Sequence, residues 1–196
     1  MEQTEQALVI RAQQGDYLAF EELHALLEPA ISRFVRRLIG YGQAAEDIVQ
    51  DTFLALYTHL DQIRPDENIR PYVYRVARNR CYDMLRRQGR YEQLSLDDEP
   101  TELRVSFDLH HNGQAPDDVA HWLLLQLEVQ EAIDQLPEAQ RQTLILYSEQ
   151  EMSYTEIAEV MEVSVGTVKS RLFHARKALR GLLKPETLAA IHADMD

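Results

Sequence analysis

From Val163 to Lys184 the chain reads VSVGTVKSRLFHARKALRGLLK, with six Lys or Arg and no acid, inside a protein whose formal net charge is −13. Plotted at about 100° per residue, Val165, Val168, Leu172, Ala175 and Leu179 share one sector, and Lys169, Ser170, Phe173, Lys177 and Arg180 fall on the other side. Cations for phosphate and guanine, short polar groups, and one ring for base methyl groups are what a helix in a DNA major groove needs. Gly166 near the start leaves backbone N–H groups open to a phosphate. A helical hairpin with a solvated basic face has the same apolar spacing, but six unbalanced cations favour nucleic acid.

Three further groupings carry chemistry. From Arg64 to Arg90 there are eight Arg against three acids, and Tyr72, Tyr74 and Tyr82 interleave with Arg75, Arg78, Arg80, Arg86 and Arg87. Phosphate attraction beside aromatic platforms suits a DNA strand being opened, although the tyrosines, Tyr74 above all, could equally pack a core. Asp47, Gln50, Asp51, Leu54 and Thr58 form an acidic stripe with one apolar member, suited to a basic, partly apolar helical partner; a solvated face reads the same way. Glu92 to Asp118 holds eight acids against Arg104. His110 and His111 beside Asp108 lie in that segment without a second ligand cluster, so neither a metal site nor an enzyme is expected.

These residues need helices to position them. Of 196 residues 45% are apolar, with seven Gly and seven Pro, and β-type alternation is scarce, so an all-α fold is expected. Gly15 ends a first helix, and Asp16 caps a second in which Leu18, Phe20, Leu23, Leu26 and Leu27 line an apolar side before Pro29 breaks or kinks it. Val49, Phe53, Leu56 and Leu60 give a buried stripe between Ala44 and Leu60. After the loop around Pro65, a helix resumes past Pro71 with Val73, Val76, Ala77 and Leu85 inward, ending at Gly89. A single Cys81 reads as a small core residue. The acidic stretch from 91 to 119 reads as a linker between domains 1–90 and 120–184, with 185–196 a short tail. In the second domain, Pro137 opens one helix, Tyr154, Ile157, Ala158 and Met161 space another, and Ser164 caps the basic one, giving a helix-turn-helix. Neither a signal peptide nor a membrane span is read, so no membrane insertion and a cytoplasmic location are expected.

The wording SYTEIAEVMEVSVGTVKSRLFHARKAL resembles the region-4 helix-turn-helix of extracytoplasmic-function (ECF) sigma factors, the short two-domain initiation subunits of bacterial RNA polymerase. GDYLAFEEL, AEDIVQDTFLALY and IRPYVYRVARNRCYDMLRR resemble that family's region 2, in order, so the likeness covers about residues 8 to 184. It implies a non-enzymatic protein without metal or other cofactor, whose partners are core RNA polymerase (the β′ coiled coil and the β subunit), promoter DNA, and an anti-sigma factor. It places polymerase docking on Asp47, Gln50, Asp51 and Leu54. Recognition and melting of the −10 element fall to Asn68, Ile69, Arg70, Tyr72, Arg75, Arg78, Asn79, Asp83, Arg86 and Arg87, with DENIR where relatives capture a flipped base. The −35 element is read by Gly166, Thr167, Lys169, Ser170, Arg171, Phe173, His174 and Lys177. It also implies that the acidic linker passes through the polymerase's nucleic-acid channels.

This chain departs from the pattern at Tyr72, where relatives often carry Trp, at Glu162, where Gly commonly closes a helix, and at Lys169 and His174, where Arg is frequent. Its −35 preference therefore cannot be copied from a relative, because Lys lacks the planar fork of Arg. Two other readings stay open: an adaptor that only sequesters an anti-sigma factor, and a repressor that binds duplex DNA without polymerase.

Overall fold

The computed structural model describes residues 2–64, 67–87 and 116–193. The acidic linker, including Asp108, His110 and His111, lies outside them apart from the start of α5. Helices α1 (Glu2–Gln13), α2 (Tyr17–Ile39), α3 (Gln43–His59) and α4 (Ile69–Arg87) form an N-terminal unit, and α5 (Pro116–Asp134), α6 (Glu138–Ser148), α7 (Tyr154–Met161), α8 (Val165–Leu182) and α9 (Pro185–Ala193) a C-terminal one. The protein is all-α, as the composition predicts.

Local chemistry sets the helix ends. Gly15 takes φ 87 after α1, and the Asp16 side chain accepts from the Ala19 N–H to start α2. Arg11 donates to the same carboxylate at 2.7 Å and holds its pKa below the usual carboxylate range. Gln13 donates to the carbonyls of Leu60 and Ile63 at 2.8 and 2.7 Å, tying α1 to the 3-10 turn Leu60–Gln62 that follows α3. Leu23, Leu27, Ile31, Phe34, Val49, Phe53, Leu56, Val73 and Ala77 build the N-terminal core. Cys81 is part of it; burial pushes its thiol up to about 12, so it stays a protonated packing group.

Three expectations need correcting, and two helices reach into the stretches read as tail and linker. α2 runs through Pro29 as one helix, because buried residues on both sides of the proline, from Ala19 to Leu38, anchor it continuously. Leu18 and Leu26 are exposed, and Ala19 takes the inward position instead. α4 begins at Ile69 rather than after Pro71; a first-turn N–H has no intrahelical partner, so proline is tolerated there. The tail contains α9, and Glu128 of α5 holds it by accepting from the Lys184 N–H at 2.7 Å and pairing with its ammonium at 3.1 Å. α5 also begins at Pro116, inside the stretch read as linker.

In the C-terminal unit, Ile145, Leu146, Ile157, Val160, Met161, Val168, Leu172 and Ala175 make the core. Ser153 and Glu156 form a reciprocal capping box at the start of α7, a device that satisfies two otherwise free N–H groups. Glu162 closes α7 at φ 54, ψ 44, the left-handed region, and Ser164 caps α8 by accepting from the Thr167 N–H at 3.1 Å. Among the described residues no helix is long and apolar enough to cross a membrane, and no His/Cys/Asp/Glu group could hold a metal ion.

Candidate nucleic-acid interface

The apolar stripe of α8 is buried at Val168, Leu172 and Ala175, which leaves Lys169, Ser170, Phe173, His174, Lys177 and Arg180 exposed. Phe173 is 64% exposed although apolar, and its ring meets only the edge of His174 among the described aromatic contacts. Gly166 is exposed at the helix start, while Thr167 shares its hydroxyl with Ser164 at 2.9 Å and belongs to the cap. Arg171 departs from this face. It is half-buried on the side of Arg78 and Tyr82, and desolvation, then the Arg78 charge, pushes its pKa down.

A stacked aromatic pair that sequence reasoning missed supports α8. Tyr147 and Tyr154 lie 5.5 Å apart, with the Arg176 guanidinium 5.1 Å from one ring and the Lys169 ammonium 5.9 Å from the other. Lys169 and Arg176 are seven residues apart and so share a side of α8. The cation–π contacts restrain two long side chains that would otherwise lose rotamer entropy on binding.

The arginine-rich α4 divides into two sides. Asn79, Arg80, Asp83, Arg86 and Arg87 are exposed, Tyr72 and Arg75 half-buried, and Arg75 lies 5.9 Å over the Tyr72 ring. The other side faces the C-terminal unit. Tyr74 is 1% exposed, stacks edge-on with Phe34, and donates to Gln150 Oε1 at 2.6 Å, so it is a core residue and not a stacking platform. Burial pushes its phenol pKa up. Ile69 is 2% exposed and packs in the same core. Arg78 donates to Gln142 at 3.0 Å, Asn68 to Glu156 at 2.5 Å, and Arg70 reaches the Gln150 carbonyl at 3.5 Å.

On α3, Asp47, Gln50, Asp51 and Leu54 are all exposed while Val49, Phe53 and Leu56 are buried, so the acidic stripe is one continuous surface. Tyr57, one turn beyond Leu54 and also exposed, extends it and was not among the residues picked from sequence. Asp51 lies 3.6 Å from Arg80, which joins this surface to the open side of α4.

Comparison with known proteins follows the same division. Residues 23–91 match the family model for Sigma-70 region 2 and residues 126–179 that for Sigma-70, region 4. The chain is 30% identical to ECF RNA polymerase sigma factor SigW of Bacillus subtilis (89% of this chain, 94% of the relative). It is 32% identical to the ECF RNA polymerase sigma-E factor of Escherichia coli K12 (93% and 95%). Its fold is similar to the sigma factor RpoE of Bartonella quintana, solved with the anti-sigma factor NepR, at TM-score 0.65 and 27% identity over 85% of this chain and 97% of the other. CnrH, solved with the cytosolic domain of CnrY, gives TM-score 0.66 at 24% identity over 91% and 96%, a likeness of fold.

Proposed function

The chain belongs to the extracytoplasmic-function sigma factors of RNA polymerase, which direct promoter-specific transcription initiation, and from that premise we propose how its surfaces divide the work. The observation that carries the assignment is the α8 face: Lys169, Ser170, Phe173 and Lys177 stand outward on a helix whose opposite stripe is buried in its own unit. That face, with Gly166, Thr167 and His174, reads the −35 element. The α3 stripe Asp47, Gln50, Asp51 and Leu54 docks on a basic helical element of core polymerase, the β′ coiled coil. Asn68, just before α4, and Arg70, Tyr72, Arg75, Arg78, Asn79, Asp83, Arg86 and Arg87 on it meet the −10 strand as it opens. Ile69 serves that segment by anchoring its start. The protein acts in the cytoplasm by binding, without catalysis of its own, and an anti-sigma factor holds it, as NepR accompanies the Bartonella relative.

Run-off transcription with purified core polymerase on genomic fragments tests the whole reading. Discrete transcripts that require both proteins support it; duplex binding without transcripts would identify a repressor, and neither would leave an adaptor.

Within α8, Phe173→Ala and Lys169→Ala should each relax base preference at their own −35 positions by about 1–3 kcal/mol, whereas Lys177→Ala should weaken all duplexes alike and flatten the salt dependence. Affinities for a panel of single-base −35 variants at several salt concentrations measure both effects. An unaltered preference in Phe173→Ala would remove that ring from the reading face.

A further inference from the structure

Tyr147 lies near the end of α6 and Tyr154 at the first position of α7, and both rings are half-buried against the C-terminal core. The loop between them is held from several sides. Gln150 and Met152 are buried, and the Met152 N–H donates to the Leu146 carbonyl at 3.1 Å. The backbone turns at Glu151 with φ 53, and the capping box of Ser153 and Glu156 fixes the start of α7. This packed connection keeps the two rings stacked with centroids 5.5 Å apart. The Lys169 ammonium lies 5.9 Å over the Tyr154 ring, and the Arg176 guanidinium 5.1 Å over the Tyr147 ring.

Lysine carries its charge on a flexible stem and lacks the planar fork with which arginine meets two acceptors of one guanine at once. An ammonium free to swing pairs with a phosphate, a neighbouring base or water nearly alike, so it adds affinity with little discrimination. A ring that attracts the ammonium to its negative face removes part of that freedom before DNA arrives. Lys169 has such a ring. Lys177, on the same exposed side of α8, has none among the described residues.

We infer that Tyr154, backed by Tyr147, is a positioning residue for base readout: it holds Lys169 in one direction, so that a lysine can discriminate bases of the −35 element. The inference rests on the reading of α8 as the −35 face. Tyr154 acts through Lys169 and needs no contact with DNA of its own. Arg176 holds the second ring, and the second ring keeps the first from tilting away.

The test uses the full-length chain with core RNA polymerase and DNA duplexes carrying a randomised −35 segment, sequenced before and after selection, so that preference is read base by base. Lys169→Ala marks the base pair that Lys169 reads. There Tyr154→Leu should lower discrimination about two- to fivefold, the worth of one exposed cation–π contact, and leave the other positions alone. The salt dependence of binding should stay the same, because no cation is removed. Tyr154→Phe keeps the ring and should keep the preference. Tyr154→trifluorophenylalanine, introduced by nonsense suppression, keeps the shape of the ring but drains its negative face, and should reproduce the loss. These two variants decide the question should Tyr154→Leu unfold α7, as circular dichroism would show. Full preference with the fluorinated ring would overturn positioning by Tyr154. An equal loss in Tyr154→Phe would overturn it too, since the hydroxyl would then be meeting DNA directly, and so would a loss spread over every position, the mark of a ring that only packs. No change of preference at any position in Lys169→Ala would overturn the reading of α8 itself, and the positioning role with it.

Discussion

Asp51→Arg should lower affinity for core RNA polymerase by about ten- to a hundredfold, because it sets a cation against the basic partner proposed for the α3 stripe. Its effect on folding should be small. Asp51 is exposed and its link to Arg80 is 3.6 Å long between half-exposed groups, a kind of pair that contributes about 0–1 kcal/mol. Arg is also a better helix former than Asp. Titration of labelled protein with core polymerase, beside a thermal melt, separates the two effects. Unchanged core affinity in a protein that melts normally would move the docking surface elsewhere.

Leu172→Ala should cost about 2–5 kcal/mol, the range for removing a fully enclosed leucine and leaving a cavity. Leu172 is 2% exposed and packs in the core that seats α8 against α6 and α7. A unit this small holds only a few kcal/mol in total, so most of its stability should go. Binding to a −35 duplex should fall accordingly while docking on core polymerase through α3 persists. Calorimetry should show the transition of α5–α9 moving down and that of α1–α4 staying near its original temperature. One cooperative transition moving as a whole would mean that the contacts of α4 with the C-terminal unit join the two units into a single folding unit.

What could be read from sequence follows what is local. The i, i+4, i+7, i+11 spacing on α3 correctly separated Val49, Phe53, Leu56 and Leu60 from the exposed Asp47, Gln50, Asp51 and Leu54. Ser164 and Asp16 were legible as caps because a cap needs only its next three residues. Leu18 and Leu26 misled because apolar spacing states which side could be covered, not how far a neighbouring helix reaches along it. Tyr74 stayed undecided because its partner is Gln150, 76 positions away, and no local pattern encodes that pairing. The contacts of α4 with the C-terminal unit were hidden for the same reason, although the four-residue spacing of Arg70, Tyr74, Arg78 and Tyr82 was a signal available to find them.

Two glutamates, Glu151 at φ 53 and Glu162 at φ 54, bracket α7 in left-handed backbone, where a side chain costs about 1 kcal/mol relative to glycine. Glu162→Gly should therefore raise the melting temperature of the C-terminal unit by a few degrees, by about 0.5–1 kcal/mol, and leave the −35 preference unchanged; a lower melting temperature would show that the carboxylate compensates for its backbone. The turn thus lies off the reading face and yet sets how long that face stays folded. Under mutation and selection the persistence of the C-terminal unit can drift at Glu162 while the sequence preference proposed for Lys169 and Phe173 is held, so the two traits can evolve independently.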